Sequence, residues 1–204
     1  MSTKKLLPYY FLVFLFYTLQ FLANAQACFN QSNSLDLNGF NGRLRIANNV
    51  SQNLLQLTME VWVRPTALNS NRYIMSRGGG SCEPEGRYSL RLTPTGHVEF
   101  VYSQNSGYSP VYRSADAIPL NQWTHLALTY NYTTYAITMY INGKPVSGSW
   151  VTPPNSNTYN FTTTSDLTVG ARAAVTSSCN SSPASAHSDF FTGQIDEEIG
   201  RAHV

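Results

Sequence analysis

Charge is what this sequence has least of: Asp, Glu, Lys and Arg supply 12% of its 204 residues, thirteen of them basic and eleven acidic. Lys4 and Lys5 stand ahead of the apolar stretch 6–22, so beyond that stretch eleven basic residues face eleven acidic ones. A chain with no basic surplus lacks the attraction that nucleic acids and anionic membranes require, and both are excluded as partners. Metal and phosphate signatures are missing too. His97, His125, His187 and His203 are widely spaced, the three cysteines form no short-gap ligand pair, and Gly78-Gly79-Gly80 is not followed by the Lys and Ser/Thr of a phosphate loop. No Gly-x-Ser-x-Gly elbow occurs. Sugar hydrolysis needs two carboxyl groups facing each other across the substrate. Glu60 and Glu99 are solitary on their strands, and Glu83 and Glu85 share a Cys-, Gly- and Pro-rich loop that aims them poorly.

Residues 1–25 read as an export signal. Two lysines precede an apolar segment, and Ala23-Asn24-Ala25 supplies the small residues a signal peptidase requires, giving cleavage before Gln26. A retained membrane anchor, or a lipid on Cys28, are the alternative readings. The 179 residues that follow suffice for one substantial domain, 34–197, after a linker at 26–33. Export exposes cysteines to oxidation. Cys82 and Cys179, both in polar loops, are expected to pair, which leaves Cys28 free, lipidated or matched outside the chain.

No stretch has the period of a long helix; apolar residues alternate instead. Leu57, Met59, Val61 and Val63 fall on one strand face, with Thr58, Glu60, Trp62 and Arg64 on the other. Tyr88, Leu90 and Leu92 alternate with Ser89 and Arg91, and Val98, Phe100 and Tyr102 continue the meander. Leu126, Leu128 and Tyr130 share a side, as do Ile137, Met139 and Ile141, ahead of Asn142-Gly143, a strong hairpin signal. Many short strands with apolar faces imply two antiparallel sheets packed against each other. The expected fold class is all-β.

Segments in a recognisable order then carry a resemblance. They are 34–39 (SLDLNG), 57–65 (LTMEVWVRP), 73–78 (YIMSRG), 119–127 (PLNQWTHLA), 139–144 (MYINGK), 167–170 (LTVG) and 191–197 (FTGQIDE). Together they resemble the laminin-G-like, concanavalin A-like jelly-roll domains of secreted multidomain proteins. The resemblance implies a two-sheet antiparallel jelly-roll sandwich in which Trp62 and Trp123 are packing anchors and His125 is a hydrogen-bonding residue. It also implies a closing strand after residue 197. Residues 198–204 do not match it and read as a foreign tail, so the domain is expected to lack its last strand and to be followed, in the natural protein, by further domains.

Sugar rings stack on aromatic side chains while amides and charged groups satisfy their hydroxyls. Tyr102, Tyr108, Tyr112 and Arg113, with Trp150 and Tyr159 further along, have that composition and are the candidate ligand contacts. Family members can hold calcium through loop aspartates, which makes Asp116, Asp166 and Asp189 candidate ligands for that ion. The expected function is an extracellular, non-catalytic module that recognises carbohydrate or a surface protein. A structural spacer or adhesion domain without its own ligand is the second reading, and a glycoside-cleaving enzyme the third.

Overall fold

The computed structural model describes residues 34–78, 88–104, 108–155, 165–173 and 187–202. They form two facing antiparallel sheets. One has the strand order β1 (Leu35–Asn38), β15 (Thr192–Ala202), β3 (Gln56–Pro65), β8 (Thr124–Asn131), β9 (Ala136–Ile141) and β10 (Lys144–Val146). The other runs β11 (Gly148–Thr152), β7 (Val111–Ala117), β6 (His97–Tyr102), β5 (Tyr88–Leu92), β4 (Arg72–Arg77), β12 (Leu167–Val169) and β2 (Leu44–Ile46). A small ladder joins β13 (Arg172–Ala173) to β14 (His187–Ser188). Among the described residues no helix is long and apolar enough to cross a membrane.

The core is what the alternation dictates. Leu57, Met59, Val61 and Val63 of β3 are buried together with Leu126, Leu128 and Tyr130 of β8. Facing them from the second sheet are Leu90 and Leu92 of β5 and Val98, Phe100 and Tyr102 of β6. Phe100 and Tyr130 meet across the interior with ring centres 5.1 Å apart. Such inward rows remove apolar surface from water on both sheets at once, the main term favouring a two-layer fold.

Two expectations are corrected. Trp62 and Trp123 are not sealed packing anchors; both are partly exposed, and Trp62 lies outward against His125 with ring centres 5.1 Å apart. The last strand also runs further than residue 197. Ile199–Ala202 pair with Glu60–Leu57, after an irregularity beyond Asp196, so the place between β1 and β3 is filled by β15. Backbone hydrogen bonding across a ladder depends little on side-chain identity, so residues that match no family motif can still extend the strand.

Asn142 and Gly143 link β9 to β10 with φ of 52° and 73°, the two positive values a type I′ turn requires. A Cβ on Gly143 would meet nothing within 4 Å, so only backbone strain opposes it. Gly143→Ala is expected to cost about 1–2 kcal/mol, read as a lower urea midpoint. An unchanged midpoint would show that the turn imposes no such restraint.

Candidate functional site

The outer face of the seven-stranded sheet carries polar side chains in two cross-strand rows. The register places Ser76 of β4, Ser89 of β5, Val101 of β6 and Val111 of β7 side by side. One step along, Tyr73, Arg91, Glu99 and Arg113 form a parallel row on the same four strands. Tyr73 and Ser76 are three apart, a spacing that ordinarily puts residues on opposite faces. A bulge between Tyr73 and Met75 inserts Ile74 into β4 and restores both to the outer face.

A pocket of about 250 Å³ opens between these rows, lined by Tyr73, Ser76, Ser89, Arg91, Val101 and, from β13, Arg172. That is below the roughly 300–1,000 Å³ of drug-sized sites and suits a single ring or the end of a chain. The Arg91 and Arg172 guanidiniums lie 5.6 and 5.9 Å from the centre of the Tyr73 ring, within cation–π range.

Glu99 fixes this arrangement from within the same row. It is 1% exposed, and its two oxygens are divided between arginines. Arg91 Nε donates to Oε2 at 2.7 Å and Arg113 Nε to Oε1 at 2.8 Å, while Arg91 Nη1 donates to the Tyr73 hydroxyl at 2.9 Å. Burial works against the Arg91 charge, but Tyr73 and Glu99 together outweigh it and hold the guanidinium above the ordinary arginine value. Arg91 therefore stays charged and fixed in orientation. Arg172 is looser, with Nη1 3.6 Å from Asp189.

Among the described residues expected as ligand contacts, Arg113 joins this outer-face network through Glu99. Tyr102 is corrected in part: it borders the pocket, but its ring is buried 5.0 Å from that of Tyr130 inside the sandwich. Tyr112 and Trp150 are corrected with it. They pack edge to face at 5.2 Å against the core and belong to the inner surface. These three aromatics cluster where β6, β7 and β11 adjoin, with Trp150 edge-on to both tyrosine rings. Tyr108 donates its hydroxyl to the Pro153 carbonyl at 2.8 Å and ties two loops together. Tyr159, Cys28, Cys82 and Cys179 lie outside the described residues.

The three aspartates are not assembled. Asp116 is exposed on β7, whereas Asp166 precedes β12, on the far side of β6, β5 and β4. Asp166 is engaged by the Arg45 guanidinium and accepts from the Asn48 backbone N–H at 3.0 Å. Asp189 accepts from the Ser188 hydroxyl at 3.0 Å and faces Arg172. Strands about 4.8 Å apart place Asp116 and Asp166 too far from one another to share an ion. Among the described residues no three His, Cys, Asp or Glu side chains are placed to hold one. The three candidate calcium ligands therefore stand apart and do not share one site.

The remaining acid–base pair, His125 Nε2 and Glu60 Oε1 at 3.0 Å, lies on the outer face of the six-stranded sheet beside Trp62. Tyr73, Ser89, Arg91, Glu99 and Arg172 are what sequence reasoning missed as site residues. The alternation already turned Ser89 and Arg91 outward, which was the available signal for those two.

Two antiparallel sheets with a preformed outer-face pocket define a sandwich of the lectin type. The sequence matches the family described as the concanavalin A-like lectin/glucanases superfamily over residues 38–198, and the chain belongs to that family. No curated protein sequence matches it. Among solved structures, the chain is similar to the CBM40 module of the Ruminococcus gnavus IT-sialidase, bound to alpha2,3 sialyllactose. The TM-score is 0.60 and the identity 11%, with 82% of this chain and 87% of that one covered. It is also similar to a carbohydrate-binding candidate from Bacteroides ovatus, at a TM-score of 0.55 and 19% identity, over 82% of this chain and 42% of the other. A third is the NanB sialidase of Streptococcus pneumoniae, as its K499G mutant, at a TM-score of 0.60 and 16% identity, where 82% of this chain covers 25% of the other. The last two proteins are far longer than the part that is shared. At these identities the likeness is one of fold.

Proposed function

We propose that the domain is an extracellular, non-catalytic carbohydrate-binding module that takes a sugar into the pocket on the outer face of the seven-stranded sheet. The observation that carries this is the Tyr73, Ser76, Ser89, Arg91 constellation. Its hydroxyls and guanidinium sit on adjacent strands, so they are positioned before any ligand arrives. Side chains held by ladders lose little freedom on binding, which favours recognition of a small polar ligand. The Ruminococcus gnavus module and the Bacteroides ovatus protein, of like fold, are described as carbohydrate-binding, which supports the same reading. Recognition is favoured over hydrolysis because Glu99, the carboxylate beside Arg91, has both oxygens occupied by arginines. A general acid needs an oxygen free to reach the glycosidic bond.

Ser89 tests the location. It is buried at the pocket floor and points away from the core, so Ser89→Leu fills the pocket while the inward residues keep their packing. On a glycan array the parent is expected to retain at least one glycan and Ser89→Leu to lose at least about tenfold in affinity for it, with an unchanged circular dichroism spectrum. Equal retention by both proteins would remove the pocket from consideration.

A further inference from the structure

Resting on the pocket reading above, we propose that the sugar recognised there is acidic and that its carboxylate is bound between Arg91 and Arg172. Among the described residues the pocket lining contains two guanidiniums and no carboxylate. The nearby acids do not cancel them. Glu99 stands between Arg91 and Arg113 and is shared by them, while Asp189 meets Arg172 only at 3.6 Å. Among the described residues, Arg91, Arg113 and Arg172 face Glu99 and Asp189, a group with one positive charge in excess.

A neutral sugar gives that excess nothing. Covering Arg172 and Arg91 with hydroxyls alone removes water from the cations without supplying a counter-charge, and such desolvation is unfavourable. A planar carboxylate offers two acceptor oxygens to the guanidinium forks, the geometry that distinguishes arginine from lysine as a binder of such anions. The two cations also have different mobility. Arg91 is held by Glu99 and by the Tyr73 hydroxyl, and so presents a fixed edge. Arg172, on the short β13 and with 39% of its side chain exposed, can turn from Asp189 to the ligand. Both guanidiniums lie within cation–π range of the one Tyr73 ring, which brings them to the same end of the pocket. Uronic acids and sialic acids share this carboxylate chemistry, and the probes below separate them.

The test compares matched glycans that differ in charge, using the full mature chain: sialyllactose with lactose, and oligogalacturonate with its methyl ester. At least one acidic member is expected to bind at least about tenfold more tightly than its neutral partner. Which pair shows the difference identifies a sialic acid or a uronic acid as the source. Arg172→Gln is expected to abolish that preference, Arg172→Lys to restore part of it, and added NaCl to weaken binding of the acid alone. Equal binding of acid and neutral partner would overturn the charge assignment while leaving the pocket intact. The assignment is also overturned if Arg172→Gln keeps the preference, if sulfated glycans alone bind, or if no acidic glycan binds. Binding that survives Ser89→Leu would instead strike at the pocket itself.

Discussion

Replacing Glu99 by Leu is expected to destabilise the domain by about 3 kcal/mol, at the lower end of what breaking a buried ion pair costs. The two arginines it serves do not suffer equally. Arg113 keeps 42% of its side chain exposed and can turn to water, so its half of the interaction is screened and worth little. Arg91 keeps 18% and remains fixed against the Tyr73 hydroxyl, its charge stranded without a counter-ion. Most of the loss therefore falls on one pair. In a domain of this size the melting temperature should drop by roughly 6–12 °C. Arg113→Gln, measured in parallel, should cost less than about 1 kcal/mol. Comparable losses for the two variants would refute the idea that burial, and not the number of contacts, sets the energy of this triad.

Gly193→Ala is the second large effect. Gly193 stands in β15 between Leu37 of β1 and Pro65 of β3, with φ of 132°, where side chains are rarely tolerated. A Cβ there would lie 2.1 Å from the Arg64 carbonyl oxygen and 3.0 Å from the Pro65 Cα. Both obstacles are backbone, so relief requires β3 and β15 to separate where the Thr66 N–H donates to the Thr192 carbonyl at 2.9 Å. Strain of about 1–3 kcal/mol from the dihedral adds to overpacking of similar size. The combined loss should be at least about 3 kcal/mol and appear as a lower urea midpoint. A variant as stable as the parent would mean that β15 is not held against β3 in this register.

Much of the fold was legible because alternation reports directly which way a strand faces. Val98, Phe100 and Tyr102 read as an inward row and are one. The same row turns the Tyr102 ring into the core. Aromatic-rich stretches mark sugar surfaces and sandwich interiors alike, so counting tyrosines could not separate the two. Arg172 was invisible for another reason. It comes from a two-residue strand with no periodicity, some eighty positions after Arg91, and only the folded chain sets it beside Tyr73. Tyr73 was hidden by the bulge, which breaks the period-two count within β4. Gly193, by contrast, sat within a recognised motif whose physical reason is the approach of the Arg64 carbonyl.

Ile74 makes the chemistry of this surface depend on strand length. With it present, Tyr73 and Ser76 look the same way, though three positions separate them. Without it, one would turn into the sandwich while the other kept its place, and every contact residue would still be spelled in the sequence. Related chains can thus gain or shed such a binding face through one inserted or deleted codon. Comparing only the identities of aligned positions would miss that event.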